Sequence, residues 1–239
     1  MTVHPHWLFE ALAYLLGARL YLWLKSRTID PISPDDRWTI VASAALGATI
    51  GGKLLYWAAD PTYTLGSADM AVILGGKSIV GALAGGLIAV ELTKRRLGIR
   101  QATGDAFAIP VAVGIGIGRI GCFLTGLDDH TFGLPASLRW AVDFGDGIPR
   151  HPTQLYEIAF VGLLALGLTA YARTPHREGD IFRVFIYAYM VFRLGLEFLK
   201  PGLEVGGLHA IQWVCLAVLI QQSQQALRRW GRTAVLASG

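Results

Sequence analysis

The chain has 239 residues, of which 53% are hydrophobic and only 16% charged, and its mean hydropathy is +0.46. A soluble domain of this length carries about 25% charged residues, so the composition excludes that class and indicates an integral membrane protein. The two cysteines, Cys122 and Cys215, both sit in apolar runs, which argues against a disulfide framework and against a cysteine-rich metal site.

The opening "MTVHPH" runs straight into apolar sequence without a basic leader and cleavage site, so the first hydrophobic segment is expected to be retained. Segments close to the roughly 20 residues that cross a bilayer fall at 7–24, 38–57, 70–93, 105–124, 153–171, 183–199 and 208–227. Breaks at Pro31, Pro61, Pro175 and Pro201 agree with that division. The expected fold is therefore all-α: a polytopic membrane protein of seven transmembrane helices, with 1–239 forming a single domain and one long outer loop at 125–150. An odd number of spans places the termini on opposite sides. One set of connections carries 13 Lys and Arg residues and the other set only Arg139, Arg150 and Lys200. This asymmetry predicts an N-terminus outside and a C-terminus in the cytoplasm. It also accounts for the basic balance without nucleic acid.

Five cations remain inside the predicted spans: Arg19, Lys53, Lys77, Arg119 and Arg193. Each costs about 3 kcal/mol to insert and is expected to face a bundle interior or a wet cavity. Arg19, near an inner helix end, can snorkel to the headgroups. The other four are predicted in the outer half of the membrane, where Glu157 and Glu197 can join them; Glu197 follows Arg193 by one turn on the same face. Four cations against two acids leave a positive surplus that an anion can fill, and guanidinium forks suit phosphate oxygens. The anion most available at that depth is a phospholipid phosphate. Glycines in the third span (Gly75, Gly76, Gly81, Gly85, Gly86) and the fourth (Gly114, Gly116, Gly118, Gly121) predict close helix approach. In the outer loop, adjacent Asp128, Asp129 and His130 cannot readily face one ion, and no metal or other cofactor is expected.

Several motifs together resemble the bacterial prolipoprotein diacylglyceryl transferase family over nearly the whole chain. "GRIGCFLTG" is similar to that family's GRIGNFxNGE, "HPTQLYE" to HPSQLYE, "FRLGLEFLKP" to FRFxxEFxRxP, and "AYLLG" to MYLxG. The resemblance implies an enzyme of the bacterial inner membrane. It would move the diacylglyceryl group of phosphatidylglycerol to the lipobox cysteine of a prolipoprotein and release glycerol 1-phosphate. It implies catalytic roles for Arg119, Arg193 and Tyr14. Lys53, Lys77, Glu157, Glu197, Cys122, Gly121, His151 and Gln154 are expected around the substrates. The chain departs from the family pattern where Val80 replaces a histidine, Ala82 a glycine, Cys122 an asparagine and Leu134 an arginine. With that histidine gone, Asp128, His130, His151 and Lys77 are alternatives for the group that deprotonates the acceptor. A relative that uses another acceptor, or that binds phospholipid or lipoprotein without transfer, is the second reading.

Overall fold

A computed structural model describes residues 5–27 and 32–237. The expected break at Pro31 lies outside the described residues. The chain is mostly helical, in the order α1 Pro5–Lys25, α2 Pro34–Ala59, α3 Pro61–Thr64, α4 Met70–Gly75, α5 Ile79–Leu97, α6 Asp105–Thr125, α7 Thr153–Tyr171, α8 Asp180–Leu196 and α9 Ala210–Ala237. Two short antiparallel hairpins interrupt the helices, β1 Val142–Asp143 with β2 Pro149–Arg150, and β3 Glu204–Val205 with β4 Leu208–His209. Among the described residues, four helices are long and apolar enough to cross a membrane: α1, α2, α6 with its extension to Asp129, and α7.

The chain divides into two compact units, 1–39 with 94–201, and 40–93 with 202–239. In the first unit, α6 packs on both α1 and α7, and α8 covers α6 and α7. Side chains on α7 sort by face. Gln154, Glu157, Val161 and Leu168 are buried, while Leu163 and Leu166 are 71% and 69% exposed. A surface this apolar is unsuited to water and suited to lipid. Phe160 of α7 stacks on Phe192 of α8 with ring centroids 4.0 Å apart. Asp105, at the start of α6, accepts the backbone N–H groups of Gly179 and Phe182 at 2.6 and 2.9 Å, so one carboxylate serves the otherwise unpaired first turn of α8.

In the second unit, α2 and α5 meet through glycine. A Cβ placed on Gly51 would come 2.4 Å from the Gly81 carbonyl oxygen, and one on Gly85 would come 2.3 Å from that of Gly47, so only glycine permits this approach. The single helix expected over 70–93 is instead two, α4 and α5, separated at Gly76, Lys77 and Ser78. The cause is non-local. Lys53 Nζ on α2 donates to the carbonyl oxygens of Leu74 and Gly76, both at 2.6 Å, and the Ser78 N–H donates to Gly52 O at 2.9 Å. These bonds satisfy the backbone groups that the break frees.

Candidate active site

The buried stripe of α6 runs Ala108, Ala112, Ile115, Arg119 and Cys122, alternating steps of four and three residues. Arg119 thus continues a core face of the helix rather than facing lipid. The buried stripe of α8 does the same through Ile186, Tyr189, Arg193 and Leu196, and Glu197 follows in a 3-10 turn. Where α7 enters beside them it presents Gln154 and Glu157 on its buried face.

Packing these stripes together makes a closed ionic cluster. Glu157 Oε2 lies 2.8 Å from Arg119 Nε and 3.1 Å from Arg193 Nη1. Arg193 Nη2 reaches Glu197 Oε2 at 2.8 Å, and the Tyr189 hydroxyl donates to Glu157 Oε1 at 2.5 Å. All five residues are at most 7% exposed. Two carboxylates therefore hold two guanidiniums in fixed planes inside the bundle. Among the described residues, Arg193 Nε and Gln154 Oε1 beside this cluster are buried without a hydrogen-bond partner. An orphaned donor such as Arg193 Nε or an orphaned acceptor such as Gln154 Oε1 costs about 1–3 kcal/mol unless something binds it.

Lys200, just beyond α8, supplies a further positive charge. It is half-buried, and that burial, with the positive field of Arg193 next in size, pushes its ammonium down to about 8. Three cations (Arg119, Arg193, Lys200) against two acids (Glu157, Glu197) leave a net charge of one positive unit here. Sequence reading counted Lys200 only as a loop cation. Its spacing of three residues after Glu197 was the available signal.

Next to the arginines lies a second polar group. Arg119 Nη1 donates to Cys122 Sγ at 3.7 Å. Cys122, His6 of α1 and Asp129 bring their ligand atoms within 4.8 Å of one another. His6 Nδ1 lies 2.7 Å from Asp129 Oδ1, and its Nε2 lies 3.5 Å from Glu10, one helical turn along α1. Thr131 Oγ1 donates to Asp129 Oδ2 at 2.5 Å and accepts from Gln154 Nε2 at 3.2 Å, which links this group back to α7. Gly121 sets the approach of the two helices. A Cβ there would fall 2.7 Å from Phe9 Cβ and 3.4 Å from His6 Cα.

The 3-10 turn Gly126–Asp129 explains which member of the Asp-Asp-His triplet turns inward. The chain leaves it through His130 in the left-handed region at φ +52°, so Asp129 points inward while Asp128 and His130 are exposed. His151 lies at the mouth of α7. Its Nδ1 is 3.2 Å from the Tyr156 hydroxyl, which also accepts from Trp140 Nε1 at 2.8 Å. The rest of the outer loop is tied down locally. Arg150 grips Asp146 through two 2.7 Å bonds and holds its carboxyl down to about 2. Tyr14 is 65% exposed on α1. Lys53, Lys77 and Val80 belong to the second unit, where Lys53 holds the α4–α5 break, Lys77 is exposed within that break, and Val80 is buried.

The profile of the family described as "Prolipoprotein diacylglyceryl transferase" matches residues 1–224. The chain is 31% identical over 234 residues to the phosphatidylglycerol–prolipoprotein diacylglyceryl transferase of Bordetella parapertussis, covering 90% of this chain and 87% of that protein. It is 35% identical over 214 residues to the protein of the same name from Rhodospirillum centenum, covering 82% and 76%. A third relative with that name, from Nitratidesulfovibrio vulgaris, is 33% identical over 223 residues, covering 87% and 82%. With the motifs, the buried arginine pair and a match of this extent, the chain belongs to the prolipoprotein diacylglyceryl transferase family.

Proposed function

We propose that this protein transfers the diacylglyceryl group of phosphatidylglycerol to the cysteine thiol of a prolipoprotein and releases glycerol 1-phosphate. The observation that carries this reading is the buried Arg119–Glu157–Arg193–Glu197 cluster with its unpartnered Arg193 Nε. In the reaction the acceptor thiolate attacks the glyceryl carbon. A C–S bond forms, the C–O bond to phosphate breaks, and the electron pair leaves with the phosphate oxygen. The donor phosphodiester carries one negative charge and the departing monoester two. A fixed positive cluster therefore binds the developing product charge more strongly than the ground state, which is the condition for lowering the barrier. The carboxylates orient the guanidiniums in advance, so little reorganisation remains at the moment of transfer.

In this proposal the chain is one membrane domain of the bacterial inner membrane with seven spans, in which α5, α8 and α9 join the four helices that are long and apolar enough to cross a membrane. Seven helices of 17 residues or more among the described residues support that count. The uneven distribution of loop cations supports an outside N-terminus and a cytoplasmic C-terminus. Tyr14 is proposed to contact the lipid, and His151 and Gln154 to line the approach to it.

The test is reconstitution of the purified chain with labelled phosphatidylglycerol and a lipobox peptide, read by mass spectrometry. Diacylglyceryl peptide and glycerol phosphate are expected in equal amounts. Bound lipid with neither product would replace this reading with that of a relative that binds without transfer.

Lys200 gives the reaction a pH signature. Its positive charge is present below about 8 and lost above it, so KM for the anionic donor rises as pH increases through that value. The stability effect has the opposite sign. The folded state binds the Lys200 proton more weakly than the unfolded chain, so stability increases with pH between about 8 and the ordinary lysine value. Lys200→Arg keeps the charge and is expected to abolish the rise in KM over this range; an unchanged profile would remove Lys200 from the donor site.

A further inference from the structure

The reaction has to remove a proton from a thiol, and the arginine cluster offers nothing that performs this step. The residues next to it do. His6, Cys122 and Asp129 are a nitrogen, a sulfur and an oxygen donor whose ligand atoms lie within 4.8 Å of one another, brought together from α1, α6 and the turn after α6. We propose that these three side chains bind a zinc ion through His6 Nδ1, Cys122 Sγ and an Asp129 carboxylate oxygen, leaving a fourth position that takes the acceptor thiol as thiolate. The acceptor role rests on the transferase reading above; the ion site does not.

Three features favour an ion over a plain hydrogen-bonded cluster. First, the donor set matches zinc chemistry. Mixed nitrogen, sulfur and oxygen ligands suit this borderline-soft ion, and catalytic zinc sites use three protein ligands with one position open. Second, the group around the ligands has the form of an outer shell. His6 directs Nδ1 to Asp129 and Nε2 toward Glu10 at 3.5 Å, so a ring that binds metal through Nδ1 keeps a carboxylate for its other N–H. Thr131 fixes the second oxygen of Asp129 at 2.5 Å. Third, the nitrogen–oxygen pair needs only a small adjustment. His6 Nδ1 and Asp129 Oδ1 are 2.7 Å apart across a shared proton, and two tetrahedral ligands of zinc stand about 3.4 Å apart. The ion takes the place of that proton.

The site also lies where the chemistry requires it. Arg119 Nη1 is 3.7 Å from Cys122 Sγ, and the same guanidinium reaches Glu157 through Nε at 2.8 Å. A thiol held at the open position is thus one side chain from the phosphate-binding arginines. Coordination releases the thiol proton to solvent and keeps the sulfur as thiolate at neutral pH. The thiolate then forms the C–S bond as the C–O bond to phosphate breaks, and the ion returns to its three protein ligands. No redox change occurs, as zinc requires. The same site gives a role to two features otherwise without one, the cysteine three residues after Arg119 and the aspartate that turns inward from an exposed triplet.

The test uses the full chain purified in detergent, stripped with a chelator and reloaded with zinc or cobalt(II). About one zinc per chain is expected. The cobalt form is expected to show near-ultraviolet thiolate charge-transfer absorption, which rises further when a cysteine-containing peptide is added. Cys122→Ser preserves volume and is expected to lose the absorption and to weaken zinc affinity by about 100-fold or more. His6→Gln, placed on the first turn of α1, is a second variant with the same expected loss of affinity. A stripped chain that takes up no zinc, or cobalt absorption that survives Cys122→Ser, would overturn the ion site. A cobalt spectrum indifferent to the peptide would overturn the open position, as would full transfer activity in zinc-free protein, and the latter would leave the transferase reading intact. Zinc binding and a peptide-induced spectral change in a chain that never transfers lipid would uphold the site and refute the transferase reading instead.

Discussion

Arg119→Ala and Arg193→Ala are each expected to lower diacylglyceryl transfer by about 100- to 1,000-fold, the cost of removing one fixed donor from a developing anion. The reason is the charge count of the reaction. One negative unit on the donor phosphate becomes two on the leaving group, so each guanidinium contributes more to the transition state than to lipid binding. The loss should therefore fall mainly on kcat and less on KM. Lysine restores charge but not the planar fork that meets Glu157 and, for Arg193, Glu197 at the same time. Arg193→Lys should accordingly recover only a small part of the rate. If either alanine variant turned over at the wild-type rate with both products present, the cluster would not be the phosphate site.

Glu157→Gln is expected to have the largest effect on stability. This carboxylate faces both arginines and the Tyr189 hydroxyl and is 1% exposed. Breaking a buried ion pair by removing one partner costs about 3–5 kcal/mol because the remaining charge stays desolvated. Against a total stability of about 5–15 kcal/mol, that is a large fraction. A thermal melt in detergent measures it. The variant carries an additional site for an anion, so phosphatidylglycerol should raise its melting temperature more than that of the wild type, as a ligand that binds only the folded state does. Equal shifts for the two proteins would mean that lipid phosphate does not reach the arginines.

Much of this site is legible from residue order because charge inside an apolar run is rare and expensive. Arg119, Arg193, Glu157 and Glu197 stand out for that reason alone, and the steps of four and three that place Arg119 after Ala108, Ala112 and Ile115 identify its face as buried. His6 precedes the first apolar run and has nothing local to mark it. In residue order Asp129 is indistinguishable from its neighbours Asp128 and His130, since the left-handed turn at His130 that separates them is a backbone event. Lys200 reads as a loop charge because Pro201 ends the segment beside it. The division of 70–93 into α4 and α5 depends on Lys53, 21 and 23 residues before the carbonyl groups it binds.

Residue order by itself therefore determines the class of protein, the family and most of the helical segments, and it marks Arg119, Arg193, Glu157 and Glu197 as charges that need burial with a partner. These follow from hydropathy, periodicity and motif, all of which are local. Which charges meet was decided only by the tertiary structure. Glu157 joins arginines on two other helices, one of them 36 residues away, and His6 meets Cys122 and Asp129 across more than a hundred residues. The physical reason is that a desolvated charge is stable only with a partner at hydrogen-bond distance, and helix packing alone sets that distance.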